Sequence, residues 1–193
     1  VALIAGLTSG IWTRPMEAGA AAIGGFNKVD FIKTAGAGFG DPQNSYAWCM
    51  TEFQGDIYVG TARNFLFRVF QALVVLGVLP TDFVFPVVST PAGELFSPEY
   101  ADDMCGEIWR YRNETWERVY KSIPVDVSYL PGVPAGSLDA KEPGFRYMIT
   151  FTDKWGEEAI YAANGASLVS GRLLLKSTDG TTWEEVVTPP EII

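Results

Sequence analysis

The sequence predicts an all-β fold built from four-stranded antiparallel sheets, and three observations carry that expectation. The first is composition. The 193 residues include 20 Gly, 12 Pro, 6 Trp and 8 Tyr, a mixture suited to short strands joined by many turns rather than to helices. The second is a repeated hairpin. NETWERV (Asn113 to Val119) and GTTWEEV (Gly180 to Val186) align Thr115-Trp116-Glu117 with Thr182-Trp183-Glu184, and Val119 with Val186. EIWRYR precedes one copy and RLLLKS the other, so each reads as strand, polar turn, strand. The third is a repeat upstream of each hairpin. MTEFQGDIYVGT (Met50 to Thr61) and MITFTDKWGEEAIYAA (Met148 to Ala163) align Phe53 with Phe151 and Ile57-Tyr58 with Ile160-Tyr161.

Four strands in succession, used more than once, are the unit of a propeller blade. The expected fold is therefore a partial β-propeller of four-stranded antiparallel blades, with long loop insertions and one short helix. Residues 1–37 read as a partial first blade, because Ala2 to Arg14 places Trp12 where Trp109 falls and Lys28 to Lys33 supplies an outer strand. Residues 38–123 form a second blade with a large insertion at 62–105, and residues 124–193 a third. Stacked blades bury both faces of a sheet, which explains the near-continuous apolar run LLL before Lys176. Trp116 and Trp183 are expected to pack between neighbouring blades, and Asp179-Gly180 to form a tight turn.

In such a blade the loop between the second and third strands shares an end with the link between blades. Gly38 to Ser45, Ala62 to Cys105, Pro124 to Gly144 and Asn164 to Gly171 are then expected to converge. Long loops on a rigid scaffold are where function sits. Within the largest insertion, Phe65 to Leu79 has helical spacing, with Phe65, Val69, Leu73 and Leu76 on one side and Arg68 and Gln71 elsewhere.

GFGDPQN (Gly38 to Asn44), the M..F.G.IYVGT pattern and GEIWRY resemble the repeats of secreted bacterial β-propeller proteins. KSTDGTTW (Lys176 to Trp183) is similar to the Asp-box turn of sialidases and other propellers, one residue shorter. The resemblance implies a fold and an extracellular or periplasmic location. It transfers no chemistry, since the Asp-box is a folding turn remote from catalysis.

Arg63, Asn64 and Arg146 stand where strands meet the loop end, and a pair of arginines there would hold a carboxylate or sulfate. With Asn44 and Asn164 they are the candidate ligand-binding residues. Asp41 and Asn44 offer oxygens beside glycines, so they are the candidate metal ligands, with Ca²⁺ as the ion; no other cofactor is expected. No catalytic set can be assembled. The sequence holds no His, which excludes Ser-His-Asp and Cys-His chemistry and imidazole metal sites. Glu94, Glu99, Asp102, Asp103, Asp139 and Glu142 are the acidic residues of the insertions from which a glycosidase pair would have to come; Tyr100 or Tyr147 would serve a sialidase-like reaction. Cys49 and Cys105 are too few for a disulfide framework and read as small buried hydrophobes.

A net charge of −9 without a basic cluster excludes nucleic acid as the main partner. The cleanest apolar run, Ala72 to Leu79, falls far short of the ~20 residues of a membrane-spanning helix. Val1 to Gly10 lacks a basic n-region, so a processed or excerpted chain is expected. Fewer than three blades leave faces and an edge uncovered, so other polypeptide is expected to complete or abut the propeller. The leading functional expectation is a secreted scaffold that binds a protein partner or a glycan through loops on one face. The alternatives are a glycan-acting, sialidase-like hydrolase and a structural subunit of a multi-chain assembly docking through Phe65 to Val88.

Overall fold

The structure, a computed structural model, describes residues 31–80, 96–165, 167 and 173–186. The chain divides into two compact units, Val1–Lys33 and Thr34–Ile193. All but three residues of the first unit lie outside the described residues, and with them residues 1–30 of the expected first blade, including Trp12; residues 31–33, the described end of its expected outer strand, form no strand.

The second unit is built from two four-stranded antiparallel sheets and a two-stranded ribbon. The first sheet runs β1 (Asn44–Phe53), β2 (Asp56–Arg63), β3 (Glu107–Arg112), β4 (Thr115–Lys121). The ribbon, which the sequence pattern does not predict, pairs β5 (Pro124–Asp126) with β6 (Leu138–Ala140). The second sheet has the same sequential order as the first: β7 (Phe145–Thr152), β8 (Glu158–Asn164), β9 (Leu174–Ser177), β10 (Glu184–Glu185), each strand pairing with the next. The all-β expectation holds, with antiparallel sheets of four, two and four strands and one helix of eleven residues. The insertion starts two residues later than 62–105 implied at its near end, since β2 continues through Arg63.

Local chemistry fixes these hairpins. The β1–β2 turn places Gln54 and Gly55 at φ 52° and 84°, and the β3–β4 turn places Asn113 and Glu114 at φ 49° and 61°. Positive φ at both central residues matches the right-handed twist of the strands. The turn before β10 is organised by Asp179, whose Oδ1 accepts the Thr181 and Thr182 amides at 2.7 and 2.6 Å and the Ser177 hydroxyl at 3.1 Å. Those N–H donors hold the Asp179 carboxyl far below the usual carboxylate range.

The sheets stack face to face. Phe53, Tyr58 and Ile108 of the first meet Phe145, Ile160, Ala162, Leu173 and Leu175 of the second in one core. Trp183 packs at its margin, its ring 6.3 Å from that of Tyr120 on β4. Trp116 packs likewise on what precedes its own sheet: Phe39 lies 4.8 Å away, and its indole donates to Thr34 Oγ1 at 3.2 Å. Gly180 seals the contact between sheets. A Cβ there would sit 1.9 Å from Tyr58 Oη, and its φ of +74° favours glycine independently.

α1 (Phe65–Val75) forms where the periodicity expects a helix, and a short α2 (Pro98–Ala101) follows. The buried face of α1 is the reverse of the expected one. Arg68, Gln71 and Val74 are buried, while Phe65, Val69 and Leu76 are exposed. Val74 joins Phe96 and Val127 in a second core, with Phe67 and Phe70 against it. The physical reason is Asp139 on β6: fully buried, it pairs with the Arg68 guanidinium and draws that edge of the helix inward. The helix ends at Val75 and the described segment at Pro80; the remainder of the expected docking surface, to Val88, lies outside the described residues.

Both cysteines are free thiols; Cys105 is buried as expected, whereas Cys49 is half-buried against the shared core. Cys105 does not lie on a strand. It ends the turn Asp102–Met104 and donates to Ala101 O at 3.3 Å. Burial pushes the Cys49 thiol up to about 11 and the Cys105 thiol up to about 12.

Candidate functional site

The expected convergence of loops occurs. Asn64 N donates to Gln43 O at 2.9 Å, Arg63 N to Pro143 O at 3.2 Å, Gly106 N to Glu142 O at 2.7 Å and Gly165 N to Gly144 O at 2.8 Å. These bonds tie the described ends of the loops 38–45, 62–105, 124–144 and 164–171 together at one end of the sheets.

Most of the candidate residues hold that end together. Arg63 is 2% exposed, and its guanidinium lies 2.7 Å from Asp41, 3.2 Å from Glu107 and 3.9 Å from Asp103. It is a tether, and its charge is matched inside the protein. Asp41 and Asn44, expected as calcium ligands, direct Oδ2 and Oδ1 at Arg63 over 2.7 and 3.3 Å. Partial burial raises the Asp41 carboxyl, but the Gln43 amide and the Arg63 hydrogen bond outweigh it and hold it below its ordinary value. The cation these oxygens hold is thus a guanidinium, and no cluster of three or more His, Cys, Asp or Glu fit for a metal ion occurs among the described residues. Asn64 starts α1 at φ 42° and donates to Asp103 O at 3.1 Å. Asn164 accepts the Leu173 amide at 3.0 Å and closes the β8–β9 loop.

Glu107 is the centre of this network. Fully buried, it accepts from Asn44 and Trp109, each at 2.9 Å, and pairs with Arg118 at 2.7 Å. A buried carboxylate is tolerable when its lone pairs are filled in this way.

Arg146 behaves differently. It is exposed, and among the described residues it is the one arginine without a carboxylate partner; Arg63, Arg68, Arg110, Arg112 and Arg118 are all paired. Its guanidinium lies over the Tyr147 ring, 5.9 Å from the centroid, and it borders a cleft of about 700 Å³. Trp48, Phe65, Arg68 and Tyr147 line the same cleft, with Ala62, Arg63 and Pro143. Phe65 packs edge-on against Trp48 at 5.6 Å and against Tyr46 at 5.5 Å. On Arg68, Nε and Nη2 are buried without an acceptor among the described residues.

Two β-bulges aim the cleft. The β1–β2 ladder pairs Ala47 with Thr61 and Cys49 with Gly60, which leaves Trp48 over. The β7–β8 ladder pairs Phe145 with Asn164 and Tyr147 with Ala163, which leaves Arg146 over. A bulged residue leaves the strict alternation of a strand and is re-aimed. Trp48 was missed in the sequence for this reason, since period two does not reveal an unpaired residue.

No described residue lining the cleft is acidic. Asp139 is bound to Arg68, Asp102 to Lys121 at 2.5 Å, and Asp103 faces Arg63. Glu142 is buried and accepts from Ser122 and Tyr120. The side chains of Glu94 and Glu99 lie outside the described residues. No known protein family, curated protein or solved structure matches the chain. No helix among the described residues is long and apolar enough to cross a membrane.

Proposed function

We propose that the chain is a binding module on a β-propeller-type scaffold, and that its loop-end cleft takes a carboxylate-bearing sugar. The observation that carries this reading is Arg146, a guanidinium without a carboxylate partner among the described residues of a protein of net charge −9, held beside aromatic rings. A guanidinium recognises a carboxylate through paired N–H donors, and aromatic faces pack on the apolar faces of a sugar ring. A cleft bordered by arginine and no described carboxylate favours holding such a ligand over hydrolysing it, which needs two facing carboxyl groups. The same reading has the protein working outside the cytoplasm, in keeping with its resemblance to secreted repeats.

Calorimetric titration with a glucuronate-containing oligosaccharide and its neutral glucose counterpart tests this. The acidic sugar should bind and the neutral one should not. Arg146→Gln should weaken binding by about tenfold or more, the worth of a charge-assisted hydrogen bond. Equal binding of both sugars, or an unchanged affinity in the variant, refutes the reading.

A further inference from the structure

The repeat predicts which residues of the second sheet correspond to those of the first, and the ladders make the correspondence exact to the residue. Thr51 pairs with Tyr58 and Ile149 with Tyr161, so Tyr58 and Tyr161 are equivalent, as are Phe53 and Phe151. Gly60 pairs with Ile108 and Ala163 with Leu174, so Ile108 and Leu174 are equivalent. Side-chain geometry repeats as well. The Phe53 and Tyr58 rings are 6.1 Å apart at 61°, and the Phe151 and Tyr161 rings 6.4 Å apart at 66°. Each tyrosine has a cation as its cross-strand neighbour, Arg110 for Tyr58 and Lys176 for Tyr161.

Burial does not repeat. Phe53 and Ile108 are 0% exposed because the second sheet covers them, whereas Phe151 is 55% exposed and Leu174 36%. Tyr147 and Ile149 extend the same face, exposed at 65% and 61%. The second sheet thus presents to solvent the very surface that the first presents to it.

We propose that this outer face of the second sheet is a docking surface for one further four-stranded sheet of the same module, seated on it as the second sheet is seated on the first. The chain itself shows the chemistry of the occupant. It needs an inner face like Phe145, Ile160, Ala162 and Leu175, which cover Phe53, Tyr58 and Ile108. It needs a Ser-x-Asp-Gly turn whose glycine clears the tyrosine hydroxyl, as Gly180 clears Tyr58. One position differs. Gly60 admits Phe145, to which a Cβ would come within 2.7 Å, but Ala163 stands at the equivalent place. The occupant therefore carries a smaller residue than phenylalanine there. The proposal rests on reading the two sheets as copies of one module, and not on the ligand of the loop-end cleft.

The test uses the full chain with Phe151→Cys, whose thiol reports on this face. The two native thiols are raised by burial and give a slow background. The probe is the same chain followed by a second copy of its own residues 124–186 that carries Phe145→Ala, the smaller residue that Ala163 requires. In the fusion, labelling at position 151 should slow by about tenfold or more, as expected of a site that reacts only on local opening. Valine in place of the added copy's equivalent of Gly180 should restore fast labelling. Equal labelling in fused and unfused chains overturns the proposal, because the appended module already packs on a face of this kind once in the same chain. Protection that arises in the unfused chain as its concentration rises makes a second copy the occupant and overturns it too. Loss of sugar binding in Arg146→Gln leaves these readouts untouched, so the two readings fail separately.

Discussion

Asp179 does more for the fold than its exposed position suggests. It gathers two amides and a hydroxyl around one oxygen, so its folded-state affinity for a proton is lower than in the unfolded chain. A carboxyl depressed on folding contributes stability that is complete above its unfolded value, about 4, and is lost as pH falls through the folded value. Asp179→Asn keeps the acceptor oxygen and removes the titration. Chemical denaturation of both proteins across acid pH should show the wild-type advantage shrinking as pH falls; a constant gap would separate Asp179 from acid stability. This turn was legible in the sequence, since Asp-Gly between a strand and Thr-Trp has few other uses. Its docking on Tyr58 was not, because Tyr58 lies in the other sheet and more than a hundred residues upstream.

At the scale of elements, α1 shows where pattern reading stops. Its sequence, FLFRVFQALVV, is apolar on nearly every side, so a period of 3.6 residues locates the helix without choosing its inner face. The choice is made by Asp139, which lies on a ribbon that three-residue strands form and sequence patterning is too short to flag. Asp139→Asn should therefore destabilise the protein by about 3 kcal/mol, because it leaves the Arg68 guanidinium buried and unpaired. The double change Arg68→Met with Asp139→Leu should recover most of that loss, as replacing both charges by apolar groups commonly does. Urea melts of the single and double variants decide it; equal losses would mean that packing, not charge, sets the helix face. The strands were easier to foresee than the helix face because aromatic and β-branched residues recur at matching positions in both sheets.

At the scale of the whole molecule, the two sheets cohere through one shared core and through the Gly180 contact. Gly180→Ala forces a methyl toward the Tyr58 hydroxyl at a positive φ. It should cost about 2 kcal/mol or more, and Tyr58→Phe in the same chain should return part of it by removing the hydroxyl. Thermal melts check this, and a Gly180→Ala protein as stable as wild type would deny the contact between sheets. The two bulges carry a consequence for how such a scaffold can diversify. Trp48 and Arg146 have no partner across their ladders, so neither takes part in the pairing that sets the alignment of its sheet. Those sites can be rewritten with other side chains while the hydrogen-bonded frame stays as it is. Recognition and architecture are thereby encoded at separate addresses along the same strand.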